Sequence, residues 1–546
     1  MSKKNFFFLL LLLFASTLHA QTTRPKLAVG IVVDQMRPEY LYRFSSGFGK
    51  GGFNRLLNEG FVCYNTHVDY MPTVTGPGHA SIYTGTTPKY HGICGNYWFD
   101  RNSHKPVYCA KDALVETVGN DKMEKGSYSA RNILVPTLGD VLKLTTAKHG
   151  KVYAISMKDR SAAFPAGHAA DGAFWFDKKT GNFISSTYYM ASLPAWLIHF
   201  NQSGRANSYL DSIWKPMGKA DDYKFSWPDS TSARYGIGGG FLFLSQKKLR
   251  ETIKPKNDKY LPIYASPFGN KLLADLAIET IQHTDIGKDG YPDLLAISFS
   301  STDVVGHAYG PVSKELNDTY IRLDTDLARV LDALDTNVGK GNYVLFLTAD
   351  HGMSDIPALL TDNKIPGGYF DGAKLEAQLD TAFEKQYGAG HWVDTIYEEQ
   401  VYLNRKLMAE KNVNLMDAQN LAASMVREKE GIADVFTADQ LTRYDYSSSI
   451  SGRVQKGFNY MRCGDVRMVF MPGWMDSREK EDIAATHGSG FNSDTNIPLL
   501  WFGAGIPKGK SYAHYNMTDI APTVSSLLHI ITPSAATGNP ISEVLK

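Results

Sequence analysis

Long apolar runs punctuate the chain, and three of them stop at an acidic residue. KLAVGIVVD ends at Asp34, DLLAISFSSTD at Asp303, and NYVLFLTADH reaches Asp350 with His351 beside it. Runs of Val, Ile, Leu and Phe without polar alternation read as strands buried on both faces, the pattern of a parallel sheet covered by helices. The pattern predicts strands at 26–34, 151–157 and 343–348, the second leading into MKDR. In 317–335 the period changes, and Ile321, Leu323, Leu327, Val330, Leu331 and Leu334 form one helical stripe. With a strand ending near Asp303 before it and the 343–348 strand after it, that order is a βαβ unit. The predicted fold is α/β, with a mostly parallel central sheet and helices on both faces.

Other stretches fill in this frame. FNRLLNEG reads as a short helix around 55–59 closed by Gly60, and in YMPTVTGPGHASIYTG glycines and a proline compress a turn that feeds a helix N-terminus. The regions 170–265, aromatic and Gly-rich, and 355–480, mixed polar and Tyr-rich, break the core texture. They read as inserted caps on one α/β domain spanning 21–546. Core texture returns at IPLLWFGAGIPKG, and TDIAPTVSSLLHI predicts a closing helix begun by Thr518 or Asp519. The chain carries no internal repeat and no low-complexity tract.

Charge removes some function classes. The 57 Lys and Arg nearly cancel the 56 Asp and Glu, so no basic field points to nucleic acid as a dedicated partner. The apolar share of 43% fits a globular protein. Residues 1–20 differ: Lys3 and Lys4, an apolar stretch over 6–15, and the exit TLHA read as a signal peptide. That apolar stretch is too short to cross a bilayer core of about 30 Å as a helix. No Cys follows the exit to take a lipid. The expected protein is exported to a periplasm or secreted, free of the membrane once the signal is removed, and a monomer. Export permits disulfides, and of Cys63, Cys94, Cys109 and Cys463 the first choice for a bridge is Cys94 with Cys109, which flank one loop. Their spacings match no structural zinc pattern.

The polar residues at the run ends carry the candidate chemistry. Asp303 and His307 form D-x-x-x-H on one face of a turn, Asp350 and His351 are adjacent, and His487 opens HGSG after the second insertion. With Asp34 these supply the oxygen and nitrogen donors that zinc accepts, and they are too many for one tetrahedral ion. Two metals about 4 Å apart suit displacement at phosphorus, which makes phosphate esters the leading substrate class. Thr75, just before the Gly-rich turn, is the candidate nucleophile, since metal coordination can deliver its hydroxyl as alkoxide. The ordinary alternative is that Thr75 caps a helix.

The set Asp34, PTVTGPGH, GNYWFD, MKDR, D-x-x-x-H, ADHG and THGSG resembles the alkaline phosphatase superfamily over nearly the whole chain after the signal, and in order and spacing its PafA-type branch. The resemblance implies two Zn2+ ions, one bound by Asp34, Thr75, Asp350 and His351, the other by Asp303, His307 and His487. It further implies a phospho-threonine intermediate at Thr75, hydrolysed by a zinc-bound water. Asn96, Lys158 and Arg160 match positions that contact non-bridging phosphate oxygens. Two cations there suit the doubly charged monoester, so small-molecule phosphate monoesters are the expected substrates. The Cys or Ser motif of formylglycine sulfatases is absent, Lys158 stands where relatives hold a third metal, and His79 is assigned to structure. Two alternatives stay open: a phosphodiesterase or nucleotide pyrophosphatase of the same superfamily, and a non-catalytic metal-containing binding protein.

Overall fold

The structure, a computed structural model, describes residues 24–120, 125–236, 247–254, 258–447 and 449–546. The signal-peptide reading of residues 1–20 lies outside them. Leu27–Val33 runs in the middle of the main sheet, parallel to Asp293–Phe299 on one side and Tyr343–Thr348 on the other. All residues of these three strands are buried, as expected of runs with no polar face. Val152–Ser156 and Gly172–Phe176 continue the parallel array beyond Asp293–Phe299. Antiparallel strands close both sides: Asn496–Gly503 and then Phe61–His67 next to Tyr343–Thr348, and Phe183–Ser186 with Lys111–Val118 and Lys125–Tyr128 at the other edge. The result is an 11-stranded mixed sheet with a parallel centre.

The helix of the predicted βαβ unit is Lys314–Leu334, begun by Ser313, whose side chain accepts from Leu316 N–H. Its apolar stripe, Ile321 to Leu334, is buried in the main core, at about 1.5–3 kcal/mol per large aliphatic side chain. Pro267–His283 packs beside it. The closing helix is Ile520–Leu527 with Asp519 as its first flanking residue. No helix of the described residues is long and apolar enough to cross a membrane.

Three expectations change. DLLAISFSSTD is not one strand: the strand ends at Phe299 and Ser301–Tyr309 is a helix, so Asp303 sits in a first helical turn. The 170–265 region begins inside the core, since Gly172–Phe176 is wholly buried and hydrogen-bonded to Val152–Ser156. The four cysteines are free, buried thiols, and Cys94 does not bridge Cys109. Cys109 N–H donates to Asn96 O at the end of the hairpin formed by Tyr97–Asp100 and Lys105–Tyr108, so Asn96 and not Cys94 lies opposite it. Cys94 instead meets Cys463, an interaction that heads the causes of its raised pKa.

Within 355–480 lies a separate sheet of Val393–Tyr397, Gln400–Leu403, Val466–Phe470 and Ile432–Thr437. The helices Gly372–Tyr387 and Leu415–Arg427 accompany it, and Leu379, Phe383, Trp392 and Val426 belong to a core of its own.

The central strand tolerates no side chain at Gly30, where a Cβ would stand 2.4 Å from the Tyr83 hydroxyl and 2.5 Å from Phe346. Gly30→Ala is expected to cost about 1–3 kcal/mol in thermal or denaturant unfolding. Gly290→Ala, where nothing lies within 4 Å, should stay within about 0.5 kcal/mol.

Candidate metal and nucleophile site

The carboxyl-end edge of the parallel strands gathers the polar residues that interrupt the apolar runs. Asp34 follows Leu27–Val33 directly and its N–H donates to Phe299 O (3.0 Å). Asp350 and His351 follow Tyr343–Thr348, and Lys158 follows Val152–Ser156 as the residue flanking the helix Asp159–Ala166. Such an edge is where open α/β sheets bind ligands. Thr75 is the first residue of the helix Thr75–Thr84, with Val74 before it, and makes no side-chain cap. Its hydroxyl is thus free for other partners at the positive end of a helix. Gly78 lets that helix approach the strand end, since a Cβ there would lie 2.6 Å from Asp350 Cβ and 2.7 Å from its carbonyl oxygen.

Lys158 Nζ joins the two sides of the site. It donates to Asp34 Oδ2 and to Asp303 Oδ2, each at 2.6 Å, and lies 3.3 Å from Thr75 Oγ1. Asp350 Oδ1 accepts from Gln35 N–H and His351 N–H (3.2 and 3.1 Å). The other oxygen of each carboxylate, Asp34 Oδ1, Asp303 Oδ1 and Asp350 Oδ2, is buried without a hydrogen-bond partner, and so is His351 Nε2. Leaving such atoms unmatched costs about 1–3 kcal/mol each, more for charged ones. Cations held between these residues would satisfy them.

The imidazoles are oriented for that purpose. Nδ1 of His307, His351 and His487 faces the carbonyl oxygens of Ala485, Gly352 and Thr73 at 2.7, 2.9 and 2.8 Å. A carbonyl only accepts, so Nδ1 carries the proton and Nε2 offers its lone pair to the site in the neutral ring. His351 Nε2 is 3.6 Å from both Asp34 Oδ1 and Asp350 Oδ2. His307 and His487 Nε2 are 3.2 and 3.6 Å from Asp303 Oδ1. Two groups could hold an ion, Asp34 with Asp350 and His351, and Asp303 with His351 and His487, so His351 stands between them.

Burial, with Asp350 next to it, raises the Asp34 pKa well above the usual carboxylate range, against the pull of Lys158. At Asp303 burial acts the same way but Lys158 and His307 outweigh it, and its pKa falls. Burial depresses His487 and His351, favouring the neutral ligand form. Three acidic groups share one ammonium in a largely buried site, and the raised Asp34 pKa reflects that crowding, which a divalent cation would relieve.

Of the residues predicted to touch phosphate, Lys158 and Arg160 reach the same hydroxyl and Asn96 bonds the residue after it. Arg160 Nη2 lies 3.3 Å from Thr75 Oγ1, and Asn96 Oδ1 accepts from Gly76 N–H at 2.8 Å, which leaves the Asn96 amide N–H groups to donate. His79 bonds Thr75 O and Ser298 Oγ through its two nitrogens (3.0 and 2.8 Å). A cavity of about 220 Å³ opens beside this cluster, lined by Asn96, His307, His487, Glu398, Trp474 and Glu479. Sequence reasoning missed two supports. Tyr108 accepts from Arg160 Nη1 at 3.0 Å, and Asp494 gathers Ser354 Oγ, Ser493 Oγ and Ser489 N–H under the His487 loop. Neither lies in a segment whose spacing marked it; the only signal was proximity in sequence of Tyr108 to GNYWFD and of Asp494 to HGSG.

Comparison with known proteins identifies the family. Residues 28–490 match the family model described as "Type I phosphodiesterase / nucleotide pyrophosphatase". The chain is 39% identical to alkaline phosphatase PafA of Elizabethkingia meningoseptica over 98% of each chain, and 39% identical to alkaline phosphatase PhoV of Synechococcus elongatus over 96% of this chain and 93% of that one. The crystal structure of wild-type PafA superposes with a TM-score of 0.87, covering 96% of this chain and 99% of that chain at 39% identity. The chain belongs to the type I phosphodiesterase/nucleotide pyrophosphatase family, within the alkaline phosphatase superfamily of hydrolases.

Proposed function

We propose that the protein is an exported, two-zinc phosphate monoester hydrolase that works through a phospho-threonine at Thr75. One observation carries the reading: Asp34 Oδ1, Asp303 Oδ1, Asp350 Oδ2 and His351 Nε2 are buried without a hydrogen-bond partner, and Lys158, which bonds Asp34 and Asp303, also reaches the Thr75 hydroxyl, as does Arg160. Asp34, Thr75, Asp350 and His351 would hold one ion, and Asp303, His307 and His487 the other. A donor set of carboxylate oxygens and imidazole nitrogens without thiolate suits zinc. Two such ions supply Lewis acidity, lowering the pKa of the nucleophile and offsetting charge on the leaving oxygen.

The chain's own residues do the rest. Thr75 Oγ attacks phosphorus as the bond to the leaving oxygen breaks, and water later cleaves the Thr75 ester to release phosphate and restore the hydroxyl. Lys158 and Arg160 bring two positive charges to the transferring group, and the Arg160 guanidinium, steadied by Tyr108, can donate as a fork. The Asn96 amide adds a neutral donor. This charge count favours a dianionic monoester over a monoanionic diester. The relatives named alkaline phosphatase support the same choice, and the family description keeps diester hydrolysis as the competing reading.

Thr75→Ala is expected to abolish turnover of an aryl phosphate, and unchanged hydrolysis would exclude this nucleophile. Arg160→Ala should cost about 2–4 kcal/mol in kcat/KM for the monoester and much less for its methyl diester; an equal loss on both, or a wild-type preference for the diester, favours the diesterase. Metal analysis after dialysis should find about two zinc per chain, and chelation should lower both activity and melting temperature.

A further inference from the structure

A strained turn of the inserted lobe reaches the site. The strands Val393–Tyr397 and Gln400–Leu403 are joined by Glu398 and Glu399, whose φ angles are +43° and +53°. Consecutive left-handed residues make the tight hairpin turn that favours Asn and Gly, and other residues bear about 1–2 kcal/mol of steric strain each. The surroundings hold the turn in place. Arg467 Nη1 donates to Glu398 O (2.9 Å), Arg467 Nη2 to Glu399 Oε2 (3.2 Å), and Met468 N–H to Glu399 O (2.9 Å).

The strain aims one side chain out of the lobe. Glu398 Oε1 accepts from Tyr97 N–H at 3.0 Å, and Oε2 lies against Gly95, where a Cβ would approach it to 2.2 Å. Between Gly95 and Tyr97 stands Asn96, its carbonyl oxygen taken by Cys109 N–H (2.9 Å) and its Oδ1 by Gly76 N–H (2.8 Å). The segment is thus held by the hairpin through Cys109 N–H, by the Gly76 turn, and from the inserted lobe by Glu398.

We propose that Glu398 is a positioning residue for phosphate recognition: by holding Tyr97 N–H from the inserted lobe, it fixes where Asn96 presents its amide, and so couples the lobe to the reaction. This rests on the proposed phosphoryl-transfer function. It gives a lobe outside the central sheet a defined task, and gives the left-handed turn at Glu398 and Glu399 a reason to be maintained.

The test is a double-mutant cycle on the zinc-loaded full chain with an aryl phosphate. Glu398→Ala should lower kcat/KM about tenfold, with zinc content and melting temperature near those of the parent. Glu398→Gln keeps a carbonyl acceptor and should recover most of that loss. In an Asn96→Ala background Glu398→Ala should have almost no further effect, because both changes remove the same contact. Glu398→Asp, whose shorter side chain withdraws the acceptor from Tyr97 N–H, should reproduce the loss and its dependence on Asn96, and it serves where Glu398→Ala folds poorly. Additive effects of Glu398→Ala and Asn96→Ala, a Gln variant as impaired as Ala, or an unchanged kcat/KM would each overturn the proposal. Thr75→Ala separates the two levels. If that variant stays active, the phosphoryl-transfer reading fails; if it is dead while the cycle is additive, only the role of Glu398 fails.

Discussion

The site depends on three carboxylates forced together where water cannot separate them. Asp34, Asp303 and Asp350 lie at one end of the sheet with a single ammonium, Lys158, between two of them. Each acid has one oxygen bound by Lys158 or backbone N–H groups, while the other makes no hydrogen bond and has imidazole nitrogens near it, among them His307 Nε2 at 3.2 Å from Asp303 Oδ1 and His79 Nδ1 at 3.3 Å from Asp350 Oδ2. The protein therefore spends its hydrogen bonds on fixing the direction of the remaining lone pairs. The histidines follow the same plan, with Nδ1 tied to a backbone carbonyl and Nε2 turned inward.

The scaffold explains why these groups can be held so closely. Strands buried on both faces have little freedom to shift, because a register slip would misplace every side chain in a packed core. Asp34, His351 and Lys158 are within a few residues of such strands, so their positions inherit that rigidity. Thr75 comes from a different source, the first turn of a helix that Gly78 brings against Asp350. The candidate nucleophile and the candidate cation ligands are thus set by separate elements, which meet where Gly78 packs on Asp350 and where Lys158 reaches Thr75.

The inserted lobe has its own sheet and core, yet it is joined to the site by specific polar contacts rather than by burial alone. Glu398, accepting from Tyr97 N–H, forms one such junction. Arg101, donating to Cys463 O and Asp465 Oδ2, forms another beside Cys94. These contacts connect sequence positions more than 300 residues apart.

Periodicity alone determined the central strands and the helix Lys314–Leu334, because burial on both faces or on one stripe leaves a direct mark on residue order. It also made Asp34, Asp303 and Asp350 conspicuous as acids ending apolar runs, the Gly-rich turn after it singled out Thr75, and motif resemblance added Asn96, Lys158 and Arg160. Tertiary structure decided what local order cannot encode: the order of strands in the sheet, the burial of Gly172–Phe176 inside it, the helix rather than strand that carries Asp303, and the separation of Cys94 from Cys109. It also decided that Tyr108 braces Arg160 and that Glu398 braces the Asn96 loop. Those contacts join segments distant along the chain, and their energy exists only once folding has met the entropy of bringing them together, so no run of neighbouring residues records them.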